Sequence, residues 1–136
     1  AIDSLQEISC RGKQVLLVED NELNLEIAVE LLKYAGLNIT TAKNGLEGLD
    51  KFKAAPPGTY ALILMDIQMP VMNGLEAAKA IRALPVNDAQ TVPIVAMTAN
   101  AFPEDIAATL QAGMNEHLSK PIDLEQFHSI LQKWCQ

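Results

Sequence analysis

No apolar run in this chain approaches the roughly 20 residues that a bilayer-spanning helix needs. The N-terminus also lacks the charged-then-apolar order of a secretory signal. Basic residues are scarce: ten Lys and Arg stand against seventeen Asp and Glu, a net charge of −7. Nucleic acid is not an expected partner on that account, because phosphate binding needs a basic face that displaces counterions. Direct contact with an anionic membrane is disfavoured for the same reason. Aromatics make up 4% of the 136 residues, so the core has to be assembled from Val, Ile, Leu, Ala and Met. The two cysteines, Cys10 and Cys135, stand at opposite ends and in no metal-ligand spacing. Reduced thiols are expected of them in a cytoplasmic protein, although the fold argued below brings both ends to one edge and leaves a bridge open. The length suits a single domain able to bury a core without staples.

What is present is an alternation of strand and helix, repeated five times. Ala61-Leu62-Ile63-Leu64-Met65 is an unbroken apolar run that ends on Asp66, and Pro70 follows soon after. It reads as a strand buried on both faces. Val15-Leu16-Leu17-Val18 is a second such run and ends on Glu19-Asp20; Ile94-Val95-Ala96-Met97 is a third and ends on Thr98. Asn38 to Ala42 and Glu116 to Ser119 are more polar or shorter, as edge strands are. Between them, Ile27, Ala28, Leu31, Leu32 and Ala35 recur at helical spacing before Gly36, and Asn44 can cap a helix with Leu46, Leu49 and Phe52 inward. Leu75, Ala78, Ile81 and Leu84 mark a third helix, and residues 103 to 112 a fourth with Pro103 in its first turn. Asp123 and Gln126 form a capping box for a last helix bearing Phe127, Ile130, Leu131 and Trp134. Right-handed crossovers then require an α/β fold: a doubly wound five-stranded parallel sheet. The order 2-1-3-4-5 keeps the three apolar strands internal and puts a topological switch between strands one and three.

That switch gathers Glu19, Asp20 and Asp66 at one sheet edge, together with Thr98 and Lys120. A single strand-end carboxylate would be commonplace, and Asp66 alone could be a turn cap. Three carboxylates in one crevice repel one another and raise each other's pKa. A divalent cation relieves this, and Mg2+ suits hard oxygen ligands beside a phosphate. An Asp nucleophile, a hydroxyl, an ammonium and the backbone N–H of Ala99 are the parts that phosphoryl transfer to a carboxylate requires.

Val18-Glu19-Asp20-Asn21, Leu64-Met65-Asp66-Ile67-Gln68-Met69-Pro70-Val71-Met72-Asn73-Gly74, Met97-Thr98-Ala99 and Leu118-Ser119-Lys120-Pro121 together resemble the receiver domain of two-component response regulators. The resemblance implies a flavodoxin-like (βα)5 fold in which Asp66 accepts phosphate from a partner's phosphohistidine. It implies that Asp20 and Asp66 bind Mg2+ with the backbone carbonyl of Gln68, and that Glu19 acts on the ion through water. By the same likeness Thr98 and Lys120 hold the phosphoryl oxygens, and the Lys120–Pro121 peptide is cis. One departure stands out: at the family's switch position, three residues before the lysine, where Tyr or Phe is common, this chain has His117. It is open to two readings, a muted form of that switch or, the one preferred here, a polar edge-strand residue. His128 reads as a rim residue of the last helix.

The wording of these motifs is most similar to receivers fused to hybrid sensor histidine kinases. The expectation is a leader or linker at 1–12 and a receiver at 13–136. A histidine kinase or histidine phosphotransfer protein is the implied partner, the domain cytoplasmic and the parent kinase, if hybrid, membrane-anchored. No Gly-rich ATP loop appears, so catalysis is limited to the domain's own aspartyl phosphorylation and dephosphorylation. Output is expected through protein contacts around the last two strands and helices. A stand-alone single-domain response regulator is the alternative, and a receiver used only for docking a weaker one. A haloacid dehalogenase-type phosphohydrolase would need a second Asp where Gln68 stands. A flavodoxin-like nucleotide binder would need a small, neutral first loop, not Glu19-Asp20-Asn21-Glu22.

Overall fold

The apolar runs all become strands, and the helical periodicities all become helices. In chain order these are β1 (Gln14–Val18), α1 (Glu22–Tyr34), β2 (Asn38–Ala42), α2 (Gly45–Ala54), β3 (Tyr60–Asp66) and α3 (Gly74–Arg82). There follow α4 (Asn87–Thr91), β4 (Ile94–Thr98), α5 (Pro103–Gln111), β5 (Glu116–Ser119) and α6 (Leu124–Trp134). This computed structural model describes residues 12–99, 102–120 and 122–134. The expectations for residues 1 to 11, for Cys10 and Cys135, and for the Lys120–Pro121 peptide lie outside the described residues. Among those described, no helix is long and apolar enough to cross a membrane.

All pairings are parallel, in the order β2-β1-β3-β4-β5. The half-polar β2 and short β5 are the edges, as their composition predicts. Side chains alternate between the two faces of the sheet, so each face has its own core. Val15, Leu17, Leu62, Leu64, Val95 and Met97 pack against Ala28 and Leu32 of α1 and Phe127, Ile130 and Leu131 of α6. Leu16, Val18, Ile63, Met65, Ile94 and Ala96 pack on the other side against Phe52 of α2 and Ala77, Ala78 and Ile81 of α3.

Four of the helix starts, those of α1, α2, α3 and α6, are set by short polar side chains that accept from orphan amides of the first turn. Asn21 accepts from Asn24 N at 3.0 Å, and Asn44 from Glu47 N at 2.8 Å. Asn73 and Glu76 form a reciprocal box, at 2.9 and 3.1 Å. At Asp123 the box takes another form: Oδ1 accepts from Gln126 N at 2.8 Å, and the Gln126 amide turns to Oδ2 at 3.0 Å instead of the backbone.

Two local readings change, and one short helix is added. Ile27 is 42% exposed and Leu46 is 41% exposed; each sits on the outer shoulder of its helix, where the apolar stripe is wider than the face that packs. The short helix α4 has no periodicity of its own to announce it. Arg82 holds it in place, donating through Nη1 to Ala89 O at 3.1 Å. The same guanidinium donates through Nε to Gly113 O and through Nη2 to Asn115 Oδ1, both at 2.9 Å. Asn115 Oδ1 in turn accepts from Ile94 N at 2.9 Å, tying the network to the start of β4. On the opposite edge Lys51 of α2 pairs with Glu47 at 3.4 Å and donates to Thr41 O of β2.

The end of α6 is fastened to β5. Trp134 Nε1 donates to Glu116 Oε2 at 2.6 Å, and Lys133 Nζ lies 3.1 Å from the same oxygen. Burial pushes the Glu116 carboxyl up, but these donors outweigh it and hold the group below the ordinary glutamate range. A depressed carboxyl contributes stability above its unfolded pKa and loses it as pH falls through the folded one. The fluorescence of Trp134, the sole tryptophan, is therefore expected to change with a midpoint below the pH at which a free glutamate protonates. A midpoint at or above that pH contradicts the clamp.

Candidate functional site

Parallel strands end together, and the register fixes which ends meet. Val18 of β1 is level with Met65 of β3, so Glu19 emerges beside Asp66. Asp66 is level with Met97, and Thr98 with Ser119, which brings Thr98 and Lys120 to the same edge. The backbone closes the β4–β5 side with Lys120 N donating to Thr98 O at 2.8 Å. These ends wall a cleft of about 270 Å³ that Glu19, Asp20, Asp66, Gln68, Thr98, Ala99 and Lys120 all line. Asn21 of the first motif lines it too, as do Asn24 and Asp105, two residues that no motif includes. Sequence reasoning passed over those two because each also reads as an ordinary helix-start residue.

Glu19 is 1% exposed and Asp66 4%, whereas Asp20 faces solvent. Each of the three offers a carboxylate oxygen within 4.8 Å of the others. Lys120 Nζ sits between the two buried acids, 2.9 Å from Asp66 Oδ1 and 3.0 Å from Glu19 Oε2. Glu19 Oε1 also accepts from Asn21 N at 3.2 Å. Its Oε2 is fully buried and has the ion pair but no well-directed hydrogen bond. Two buried carboxylates thus share one ammonium, and the exposed third has none among the described residues.

Burial pushes the Asp66 carboxyl up to about 6, against the pull of its Lys120 hydrogen bond, with the Glu19 charge acting in the same upward direction. For Lys120, burial works against the charged form, but the two carboxylates prevail and its pKa is raised. The ammonium therefore stays protonated at neutral pH. The donor set is all oxygen, short of positive charge, and open to solvent at Asp20; it fits a hard divalent cation such as Mg2+. Asp66 is further fixed from behind. Gly74 N donates to Ile67 O at 2.8 Å, and a Cβ on Gly74 would stand 2.2 Å from Asp66 O. His117 is half-buried on β5 and His128 half-buried on α6.

The family model of the response regulator receiver domain matches residues 15–132. The peroxide stress-activated histidine kinase mak1 of Schizosaccharomyces pombe is 39% identical over 121 residues, which is 88% of this chain and 7% of that protein. This chain therefore spans a small part of the length of such relatives. Among solved structures, the receiver domain of the sensor histidine kinase PA1611 from Pseudomonas aeruginosa, with magnesium coordinated in its active-site cleft, is 37% identical with a TM-score of 0.82. The alignment covers 91% of this chain and 98% of that one. The receiver domain of the Saccharomyces cerevisiae response regulator Ssk1, solved with the histidine phosphotransfer protein Ypd1, is 33% identical. Its TM-score is 0.80, with coverage of 92% and 90%. Sequence and fold lead to one conclusion: the chain belongs to the receiver domains of two-component phosphorelay response regulators.

Proposed function

We propose that residues 13–136 form a phosphoacceptor switch in which Asp66 takes a phosphoryl group from a phosphohistidine on a partner. The observation that carries this reading is Lys120 Nζ lying 2.9 Å from Asp66 Oδ1 within a cluster of three carboxylates. Asp20, Asp66 and the Gln68 carbonyl would hold Mg2+, with Glu19 behind them. The ion, when bound, supplies positive charge to neutralise the equatorial oxygens of the transferring group.

The chain's own residues do the rest. An Asp66 carboxylate oxygen forms the new P–O bond as the P–N bond of the phosphoimidazole breaks, the departing nitrogen keeping that electron pair. Near pH 7 the carboxyl is mostly ionised even before a cation arrives, since its pKa lies near 6. Lys120 is already within hydrogen-bonding distance of Asp66 and follows the charge onto the phosphoryl oxygens. The Thr98 hydroxyl and Ala99 N–H, both at the cleft wall, donate to the remaining oxygens. A population shift around the last strands and helices then changes protein contacts.

The similarity to mak1 and to the PA1611 receiver favours a parent of the hybrid histidine kinase type, with residues 1–12 as the linker. A histidine kinase or histidine phosphotransfer protein would be the donor or acceptor, as Ypd1 is a partner of the Ssk1 receiver. Incubation with acetyl phosphate and Mg2+ is expected to add the mass of one phosphoryl group. EDTA or Asp66→Asn removes the gain. An intact-mass spectrum with no adduct on the native chain contradicts the proposal.

A further inference from the structure

Residues 67 to 73 join Asp66 to α3 and carry the Gln68 carbonyl. Within that segment lies Val71 at φ +70°, the one non-glycine residue with positive φ among those described. Met72 N donates to Pro70 O at 2.8 Å. Such an i to i+2 bond around a positive φ closes a γ-turn of the rare, strained hand. A β-branched residue is a poor occupant of that conformation. Val71 is also 76% exposed, so burial of its side chain does not offset the strain. The turn has to be held from outside.

The contact that meets it comes from α2. Gly45 N, an orphan amide of the first helical turn, donates to Met72 O at 2.9 Å. A Cβ on Gly45 would stand 2.4 Å from Met72 O and 3.0 Å from Asn73 O. Gly45 has no left-handed φ, so space alone demands glycine there. The obstructing atoms are backbone, which has no rotamer to change. Gly48, three residues on, differs: its Cβ would meet Val18 Cγ2 at 2.8 Å, a side-chain atom.

We infer that Gly45 is a positioning residue for the site: the first amide of α2 pins the strained turn through Met72 O, and so sets where the Gln68 carbonyl stands relative to Asp66 and Asp20. The inference rests on the proposed reading of those three as the Mg2+ ligands. Simple close packing of α2 would lower stability when disturbed but would leave metal affinity alone.

Mg2+ titration by calorimetry separates the two, applied to the native chain, Gly45→Ala and Gly48→Ala, beside thermal unfolding without metal. Both variants are expected to melt earlier, since both overpack one helix face. Gly45→Ala is expected to weaken Mg2+ binding about 10- to 100-fold, the loss typical when an outer support of a metal site is removed. Gly48→Ala keeps the native affinity. Equal weakening in both variants, or native affinity in Gly45→Ala, overturns the inference. A second measurement needs no variant. Coupling is reciprocal, so saturating Mg2+ must slow hydrogen exchange at the Gly45 amide of the native chain, and an unchanged rate overturns the inference even if Gly45→Ala does not fold. A native chain that binds no Mg2+ removes the metal reading itself; native binding with an indifferent Gly45→Ala removes only this extension of it.

Discussion

Lys120→Ala is expected to slow phosphoryl uptake on Asp66 by about 100-fold or more, the loss seen when one preorganised donor to developing charge is removed. Mg2+ binding should survive, because the ligands proposed above, the carboxylates and the Gln68 carbonyl, are untouched. Stability should fall too. Glu19 is buried and loses its only cationic partner among the contacts described at Lys120. Stranding one member of a buried pair costs about 3–5 kcal/mol. Proton uptake by Asp66 relieves part of that at low pH, since its pKa is already near 6. Added Mg2+ should therefore raise the Tm of Lys120→Ala more than that of the native chain. Thermal melts with and without Mg2+, paired with intact-mass kinetics, check both halves. Loss of Mg2+ binding in the variant would contradict the role assigned to Lys120, and so would undiminished phosphorylation.

The second large effect lies at the other end of the sheet. Arg82 donates to Gly113 O, Ala89 O and Asn115 Oδ1, joining α3, α4 and the loop between α5 and β5. Arg82→Met keeps much of the stem's packing but leaves those acceptors without their donor. Hydrogen bonds to charged groups contribute about 1.5–3 kcal/mol each, with heavy overlap when one group makes several. A loss of about 3 kcal/mol is expected, which for a domain of this size lowers Tm by roughly 10 °C. Arg82→Lys should recover little, because a point charge cannot reproduce a planar fork. Phosphorylation should be unaffected at temperatures where the variant is folded. Denaturant unfolding gives the direct measure, and a change below 1 kcal/mol would show that the three bonds carry no net weight.

The legible parts of this molecule are those written in contiguous residues. The apolar runs at Val15, Ala61 and Ile94 dictated internal strands, and the poorer ones at Asn38 and Glu116 dictated edges. Strand order and the meeting of Glu19, Asp20, Asp66, Thr98 and Lys120 in one cleft follow from that alone. Contacts made between distant residues were not legible. Nothing local shows that α4 forms, because the guanidinium that holds Ala89 O belongs to Arg82 of the preceding helix and is itself anchored by Gly113 and Asn115. The ion pair of Glu19 with Lys120 depends on side-chain placement across the sheet, so the acid expected to act through water is also the ammonium's partner. Gly45 and Gly74 look like ordinary helix openings in sequence. Their close approaches to Met72 O and Asp66 O emerge only when two segments are laid side by side.

Lys51 has a consequence beyond its own helix. An edge strand with free carbonyls is a template for another chain, and β2 is such an edge. By placing its ammonium on Thr41 O, Lys51 occupies an acceptor that an incoming strand would need and leaves a positive charge at the rim. Backbone pairing of a second strand along β2 is thus discouraged, and the edge is kept for side-chain contacts.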